Sequence, residues 1–323
     1  MYTIVVTGVG AIIGYGIIRS LRVCKYPVKI IGLDIYADAV GQNWCDHFEQ
    51  AVLTSSVDYP DFISDILKKY SADLVIPGIE QDACRMTIER NLWTDSDVKF
   101  VINNQQLVET ADDKWETYLK LVEAGFSTIK THIDGDFPAL AESLGSPMLL
   151  KPRRSYASKG IQRLYNEEEF LYWKKKMGAN FMVQEIVGDD EAEYTVGAFG
   201  LGNGNCSGKI SLRRKLSGEG ATVKAETVFI PELDQLVDDL VFVFRPEGPT
   251  NFQFRYHQGN FLLLEINPRV SSSTSLRTAF GYNEAEMCIE YYLRGKIPET
   301  PHVRSGNAIR YIEDCIIYDS NNI

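Results

Sequence analysis

The chain has 323 residues, too many for one ordinary core, so two or three packed subdomains are expected. Its 45% hydrophobic and 24% charged residues are those of a globular protein in water. The net charge of −11 excludes a nucleic-acid partner gripped by a broad basic surface, but leaves open a small anion in a locally basic cleft. The six cysteines (Cys24, Cys45, Cys84, Cys206, Cys288 and Cys315) form no CxxC pair, and none lies near two histidines at metal-ligand spacing. Reduced thiols in a cytoplasmic protein are expected. Residues 4–18 are apolar, but they are too short to cross a bilayer and lack a basic segment before them, so neither a signal peptide nor a membrane partner is expected.

In chain order, "YTIVVTG" reads as a strand, followed by a glycine turn and a helix over Ile13–Val23. "VKIIGLD" is the next strand. "DYPDFISDILKKYSA" reads as an acid-capped amphipathic helix running into the strand "DLVIPGI". "QDACRMTIERNLW" and "KFVIN" repeat the helix–strand alternation. Alternation of this kind predicts a parallel sheet covered on both faces, with ligands beyond the carboxyl ends of its strands: Thr7–Gly14, Asp34 and Pro77–Gln81.

The character changes near Val108. "ETADDKWETYLKLVEAGF" reads as one helix capped by Thr110 or Asp112. It is followed by the strand "SPMLLKPRR", the loop "SYASKGIQRLY", the helix "NEEEFLYWKKKM" and the strand "FMVQEIV". From Glu193 to Leu264 the pattern is almost all strand, with a hairpin at Gln258-Gly259. Helix returns in "SLRTAFGYNEAEMCIEYYLRGK". The expected units are residues 1–108 (α/β), 109–187 (small α+β) and 188–323 (large antiparallel α+β).

Three stretches carry chemistry. In "NFQFRYHQGNFLLLEINPRVSSS", two strands and a tight turn bring Gln253, Glu265 and Asn267 onto neighbouring backbones. Glu265 and Asn267 lie two apart and share a face. These are hard oxygen donors, suited to Mg²⁺ (or Mn²⁺) that also keeps waters and nucleotide phosphates. Arg269 can aim a fixed charge at phosphoryl oxygens. The second stretch is cationic. Lys114 starts a helix, and Lys151 ends an apolar strand before Arg153 and Arg154. The small-residue loop that follows, with Ser158, Lys159 and Gly160, can drape N–H groups over phosphates. In the third, "FMVQEIVGDDEAEYTV", an extended segment from Gln184 can bind a purine edge. There Ile186 or Val187 packs on the ring, Glu185 accepts from an exocyclic amine, and Glu193 reaches ribose hydroxyls.

Taken together and in this order, these residues resemble the ATP-grasp superfamily, and within it the carbamoyl-phosphate-synthase-like carboxylate ligases. The resemblance rests on the lysine of "DDK", the "KP" lysine before a glycine loop, "QEIV", "EYTV", and a final Gln253 with "EINPR", over roughly residues 109–300. It implies a Rossmann-like N-terminal α/β domain and an ATP-grasp fold made of a small lid subdomain and a large antiparallel subdomain. It also implies ATP held by Lys114, Lys151, Ser158, Lys159, Gly160, Gln184, Glu185, Ile186, Val187 and Glu193, and metal held by Gln253, Glu265 and Asn267. Arg269, Lys151 and Asn267 would be catalytic, and Gly10, Arg213, Arg214, Arg269, Ser271 and Ser272 would meet the substrate.

The implied reaction activates a carboxylate as an acyl-phosphate and couples it to an amine or ammonia, releasing ADP and phosphate. Homodimers are frequent among such enzymes. The basic acceptor surface is expected to comprise Arg213, Arg214, Arg269 and Arg277. Two departures stand out: "VSSSTS" replaces the glycines that commonly follow "NPR", and "GDDEA" loosens the register of Glu193. The alternatives are an NAD(P)-dependent oxidoreductase, from Gly8-x-Gly10-x-x-x-Gly14 and Asp34, and a nucleotide-binding protein without turnover.

Overall fold

A computed structural model of the chain describes residues 1–94, 96–155, 160–189, 193–217 and 222–316. The N-terminal third alternates β1 (Tyr2–Thr7), α1 (Ile12–Arg22), β2 (Val28–Asp34), β3 (His47–Gln50), α2 (Tyr59–Tyr70), β4 (Leu74–Ile76), α3 (Glu80–Ile88) and β5 (Lys99–Phe100). The strands pair in parallel in the order β3-β2-β1-β4-β5. Strand side chains alternate between faces. Ile4, Val6, Ile30 and Ile76 therefore pack with Ile17, Ile18 and Leu21 of α1, whereas Val5, Ile31, Leu33 and Val75 pack with Ile63, Ile66 and Leu67 of α2. At the first turn Gly8 takes φ +58°, and a Cβ on Gly14 would overlap the Gly8 carbonyl oxygen.

The expected single helix after Val108 is two. Asn104 caps α4 (Gln105–Asp112) by accepting from Leu107 N–H, and Asp113 caps α5 (Lys114–Glu123) by accepting from Trp115 N–H. Neither Thr110 nor Asp112 caps α5: Asp113 holds extended backbone, which breaks the helical run. Asp58 likewise stands at the cap position of α2 but its side chain makes no capping hydrogen bond.

A four-stranded sheet follows, in the order β6-β9-β7-β8. It comprises β6 (Thr131–His132), β7 (Met148–Leu150), β8 (Gln162–Leu164) and β9 (Val183–Gln184), with α6 (Phe137–Leu144) and α7 (Glu167–Met177) packed around Leu150, Leu164 and Phe181.

The third sheet runs β14-β13-β10-β11-β12-β15 and is antiparallel throughout. Its strands are β10 (Glu193–Leu201), β11 (Cys206–Leu216), β12 (Thr222–Thr227), β13 (Glu247–His257), β14 (Asn260–Asn267) and β15 (Asn307–Ile309). The β13–β14 hairpin turns at Gln258 (φ +48°) and Gly259 (φ +85°), both left-handed as a tight hairpin requires.

The all-strand reading missed α8 (Pro231–Phe244). Pro231 sits in its first turn with Glu232 and Asp234, and Leu233, Val237, Leu240, Val241 and Phe244 recur at helical spacing. That stripe packs on Val196, Ala198, Phe252, Phe254 and Ile266, one face of the sheet. The C-terminal helical stretch also divides, into α9 (Thr274–Ala279) and α10 (Glu284–Cys288), because Gly281 takes φ +102° between them.

On the face away from α8, the guanidinium of Arg277 is 0% exposed and pairs with the equally buried Glu284 at 3.1 Å. Removing one partner of a buried pair leaves a bare charge in low dielectric. Glu284→Gln is therefore expected to lower unfolding free energy by about 3–5 kcal/mol. Urea denaturation followed by circular dichroism measures this.

Candidate active site

The pairing register decides which side chains share the open face of the third sheet. Glu193 lies opposite Arg214 and Arg255, Thr195 opposite Gln253, Gln253 opposite Glu265, and Asn251 opposite Asn267. Because α8 covers the alternate residues, Glu193, Arg214, Gln253, Glu265 and Asn267 all stand on the other side. Arg214 Nη2 donates to Glu193 Oε1 at 2.9 Å and to Gln253 Oε1 at 2.6 Å. Gln253 Nε2 donates to Glu265 Oε1 at 3.2 Å. Arg269 Nη2 donates to Asn267 Oδ1 at 2.7 Å and across to Glu80 Oε2, on the parallel-sheet unit, at 3.0 Å.

Among the described residues, Arg214 Nε, Arg269 Nε and Asn267 Nδ2 on this strip are buried donors with no acceptor, as is Arg277 Nε deeper on the same face. An unpaired buried donor costs about 1–3 kcal/mol, a cost that acceptor atoms brought to this strip from outside the protein would remove.

Facing the strip from the second sheet, Lys151 follows β7 and is buried. Its Nζ donates to the carbonyl of Leu264 at 3.3 Å. Leu264 is the extra residue of a bulge in β14, between the pairs Phe254–Leu263 and Gln253–Glu265. Burial pushes the Lys151 ammonium down to about 8; Glu265 opposes this and Lys114 adds to it. Lys114, the first residue of α5, donates to Ser155 O at 3.1 Å and Oγ at 3.4 Å. Lys114, Gln184 and Glu265 border one small cavity, so groups from α5, the second sheet and the third sheet converge there.

Other expected residues sit differently. Gln184 Nε2 donates to Thr131 Oγ1 at 2.9 Å. Glu185 exchanges bonds with the Lys130 backbone: its N–H donates to Lys130 O at 3.1 Å and its carboxylate accepts from Lys130 N–H at 3.4 Å. Val187 is buried with Ile129 and Leu262, and Ile186 is half-buried. Glu193 is buried in its pairing with Arg214, and Arg255 stands 3.6 Å from its other oxygen. Gly160 takes φ +80° just before β8, whereas Ser158 and Lys159 lie outside the described residues.

Ser271 Oγ accepts from Ser273 N–H at 3.2 Å, and Ser272 O accepts from Arg310. Gly10 lies away from this strip, its N–H donating to Asp34 Oδ2 at 2.8 Å. The expected basic surface needs two corrections. Arg213 is exposed on the opposite side of β11 from Arg214 and pairs with Glu226 at 2.5 Å, because neighbours on a strand point to opposite faces. Arg277 is wholly buried.

Two residues on the strip escaped the sequence reading, Glu80 and Arg255. Glu80 was within reach of it, since it follows β4 at one of the strand ends where ligands were expected.

The buried Lys151 gives a test of this geometry. Its native value near 8 lies below the ordinary lysine value of 10.5, so between these pH values the unfolded chain holds more protons than the native one. Stability of the wild type relative to Lys151→Met should therefore rise as pH increases from about 8 to 10.5. Urea denaturation of both proteins across that range reads the slope, and a flat difference contradicts the burial.

The family model for "ATP-grasp in the biosynthetic pathway with Ter operon" matches residues 178–315. The carbamoyl phosphate synthase large chain of Thermotoga neapolitana is 23% identical over 325 residues, which cover 93% of this chain and 29% of that one. That of Lachnoclostridium phytofermentans is 22% identical over 284 residues, 80% of this chain and 26% of the relative. The chain thus spans between a quarter and a third of the length of these relatives. Among solved structures, N5-carboxyaminoimidazole synthetase from Staphylococcus aureus complexed with ADP superposes with TM-score 0.73 at 16% identity, over 94% of this chain and 80% of that one. The biotin carboxylase–β-γ-ATP complex from Campylobacter jejuni gives 0.70 at 18%, over 90% and 70%. No helix among the described residues is long and apolar enough to cross a membrane. The chain has the fold of these ligases, an ATP-grasp unit behind a parallel α/β unit, and it is similar in sequence to carbamoyl phosphate synthase large chains.

Proposed function

We propose that the protein is an ATP-dependent ligase that activates a carboxylate as an acyl-phosphate and couples it to an amine or ammonia. The observation that carries this reading is the single sheet face bearing Gln253, Glu265, Asn267 and Arg269, with Lys151 set against it and three buried donors lacking acceptors. A nucleotide's phosphate oxygens are acceptors of the right kind.

The donor set also fits Mg²⁺ or Mn²⁺. Glu265 supplies a charged oxygen, and Gln253 and Asn267 supply neutral ones on neighbouring strands. Both amide oxygens already accept from arginines, so a cation there meets carbonyls held in place by Arg214 and Arg269. The metal supplies charge neutralisation on the phosphates.

This chain's residues do the rest. Lys151 and Lys114 meet phosphate oxygens, and Lys151 holds its proton once anionic oxygen lies beside it. Arg269 stands where charge builds on the phosphoryl group and the acyl-phosphate. Gly160 is assigned to the phosphates, Gln184, Glu185, Ile186 and Val187 to the base, and Glu193 to the ribose. Arg214, Ser271 and Ser272 belong to the substrate side. Burial of the strip keeps water from the reactive intermediate. No protein nucleophile is required. A nicotinamide reading of the glycine turn leaves Gln253, Glu265, Asn267 and Arg269 without a role.

Purified protein should release ADP from ATP only with Mg²⁺ and with both an acid and an amine present, in a screen of both substrate classes by coupled ADP assay. Lys151→Ala and Arg269→Ala should each lower kcat by about a hundredfold or more, and Glu265→Ala should abolish the Mg²⁺ dependence of ATP binding. ATP binding by calorimetry that is unchanged in Glu265→Ala and Lys151→Ala would refute the assignment.

A further inference from the structure

A cavity of about 500 Å³ opens at the carboxyl ends of β1, β2 and β4, within the parallel-sheet unit and apart from the polar strip. Its volume is that of a small-molecule site. Three aspartates line it, Asp34, Asp38 and Asp82, and no lysine, arginine or histidine does so among the described residues. The rest of the wall is mainly apolar, with Leu53, Ile63 and Ile79 on it.

Two of the acids are held in place. Asp34 accepts from Gly10 N–H at 2.8 Å and from Tyr36 N–H at 3.0 Å, and Asp82 accepts from Thr54 Oγ1 at 2.5 Å. Each carboxylate oxygen keeps a further lone pair for a ligand. Asp82 is only 4% exposed; burial pushes its carboxyl above the usual range, and Asp34's charge adds to this. Beside it the hydroxyl of Tyr59, in a residue 2% exposed, stands close enough to Asp82 to couple to its carboxyl, but among the described residues no group meets it at full hydrogen-bond geometry. With its O–H turned toward Asp82, the phenol oxygen keeps a lone pair on the wall of an open cavity that a ligand donor can meet.

We propose that this cavity binds a small cationic amine with an apolar body, the ammonium held by Asp34 and Asp82 and the body resting on Leu53, Ile63 and Ile79. An ammonium carries three donors and no acceptor, which matches two fixed carboxylates and the Tyr59 oxygen. Carboxylate- and phosphate-bearing molecules of the same size are repelled by the three aspartates. The inference does not depend on the ligase reading, because amine binding is measured without nucleotide.

The test compares phenethylamine with 3-phenylpropionate and 2-phenylethanol, near-isosteric molecules of different charge, by calorimetry on the full chain. Phenethylamine should bind at least about tenfold more tightly than either. Asp82→Asn should weaken it by a similar factor. Leu53→Lys, at a residue 59% exposed and outside the buried network, should do the same without disturbing the fold. Equal binding of amine and acid, no binding of phenethylamine, or undiminished amine binding in Leu53→Lys overturns the proposal. Mg²⁺–ATP titrated into the same proteins separates this result from the fate of the ligase reading.

Discussion

The polar face of the third sheet depends on one guanidinium that never meets water. Arg277, from α9, pairs with Glu284 of α10 and donates to Thr195 Oγ1 of β10 at 3.2 Å and to Asn251 Oδ1 of β13. Gly197 makes room for it, since a Cβ there would fall 2.5 Å from Nη1. A buried ion pair returns little net stability over an apolar substitute. Its consequence is geometric: it pins α9 to the two central strands, and so fixes the segment 268–273 that carries Arg269 and Ser271. The same helix packs on α1, where Ser20 Oγ and Thr278 Oγ1 share a hydrogen bond at 2.7 Å. This charge therefore acts with the Glu80–Arg269 pair in holding the parallel-sheet unit against the strip.

The strip itself is held by arginines. Arg214 holds Glu193 and Gln253 together, and Arg269 holds Asn267 and Glu80. Each retains a buried Nε–H with no acceptor among the described residues. In a low-dielectric setting such a donor gains more from an anion than it would in water, and the dipoles are already aimed. Lys151 adds a charge whose proton is held loosely because burial disfavours it. Bringing phosphate oxygens beside it removes that penalty, so binding and protonation reinforce each other.

Much of this was legible from residue spacing alone. A period of two put Gln253, Glu265 and Asn267 on a common face, and the same period required that only one of Arg213 and Arg214 could join them. Which one joins depends on the register against Glu193 and Gln253, a pairing between segments distant in the chain. Arg277 looked like surface charge because nothing local to it shows the Glu284 pairing or the space left by Gly197. The helix α8 was hidden for a different reason: its apolar stripe of Leu233, Val237, Leu240 and Phe244 lies between strands rich in the same residue types. The break between α4 and α5 turned on the extended backbone of Asp113, whose carboxylate also binds Arg153 at 2.7 Å. That contact outweighs the helical preference of the surrounding residues.

The opening glycine turn shows how tertiary charge overrides a motif. In a dinucleotide site the backbone N–H groups of such a turn meet the pyrophosphate at the start of the helix. Here the N–H of Gly10 already donates to Asp34, and Asp38 and Asp82 line the same cavity without a compensating cation among the described residues. An anion entering there meets repulsion and no free donor from Gly10. The boundary with the cationic strip is one peptide bond wide: Ile79 lines the cavity, and Glu80, the next residue, accepts from Arg269. Lys151, Arg214 and Arg269 thus stand on one side of this boundary, and Asp34, Asp38 and Asp82 on the other. An anion near this boundary is repelled on the cavity side and attracted on the side of Lys151 and Arg269, which leaves the glycine turn the steric task of bringing α1 close to β1.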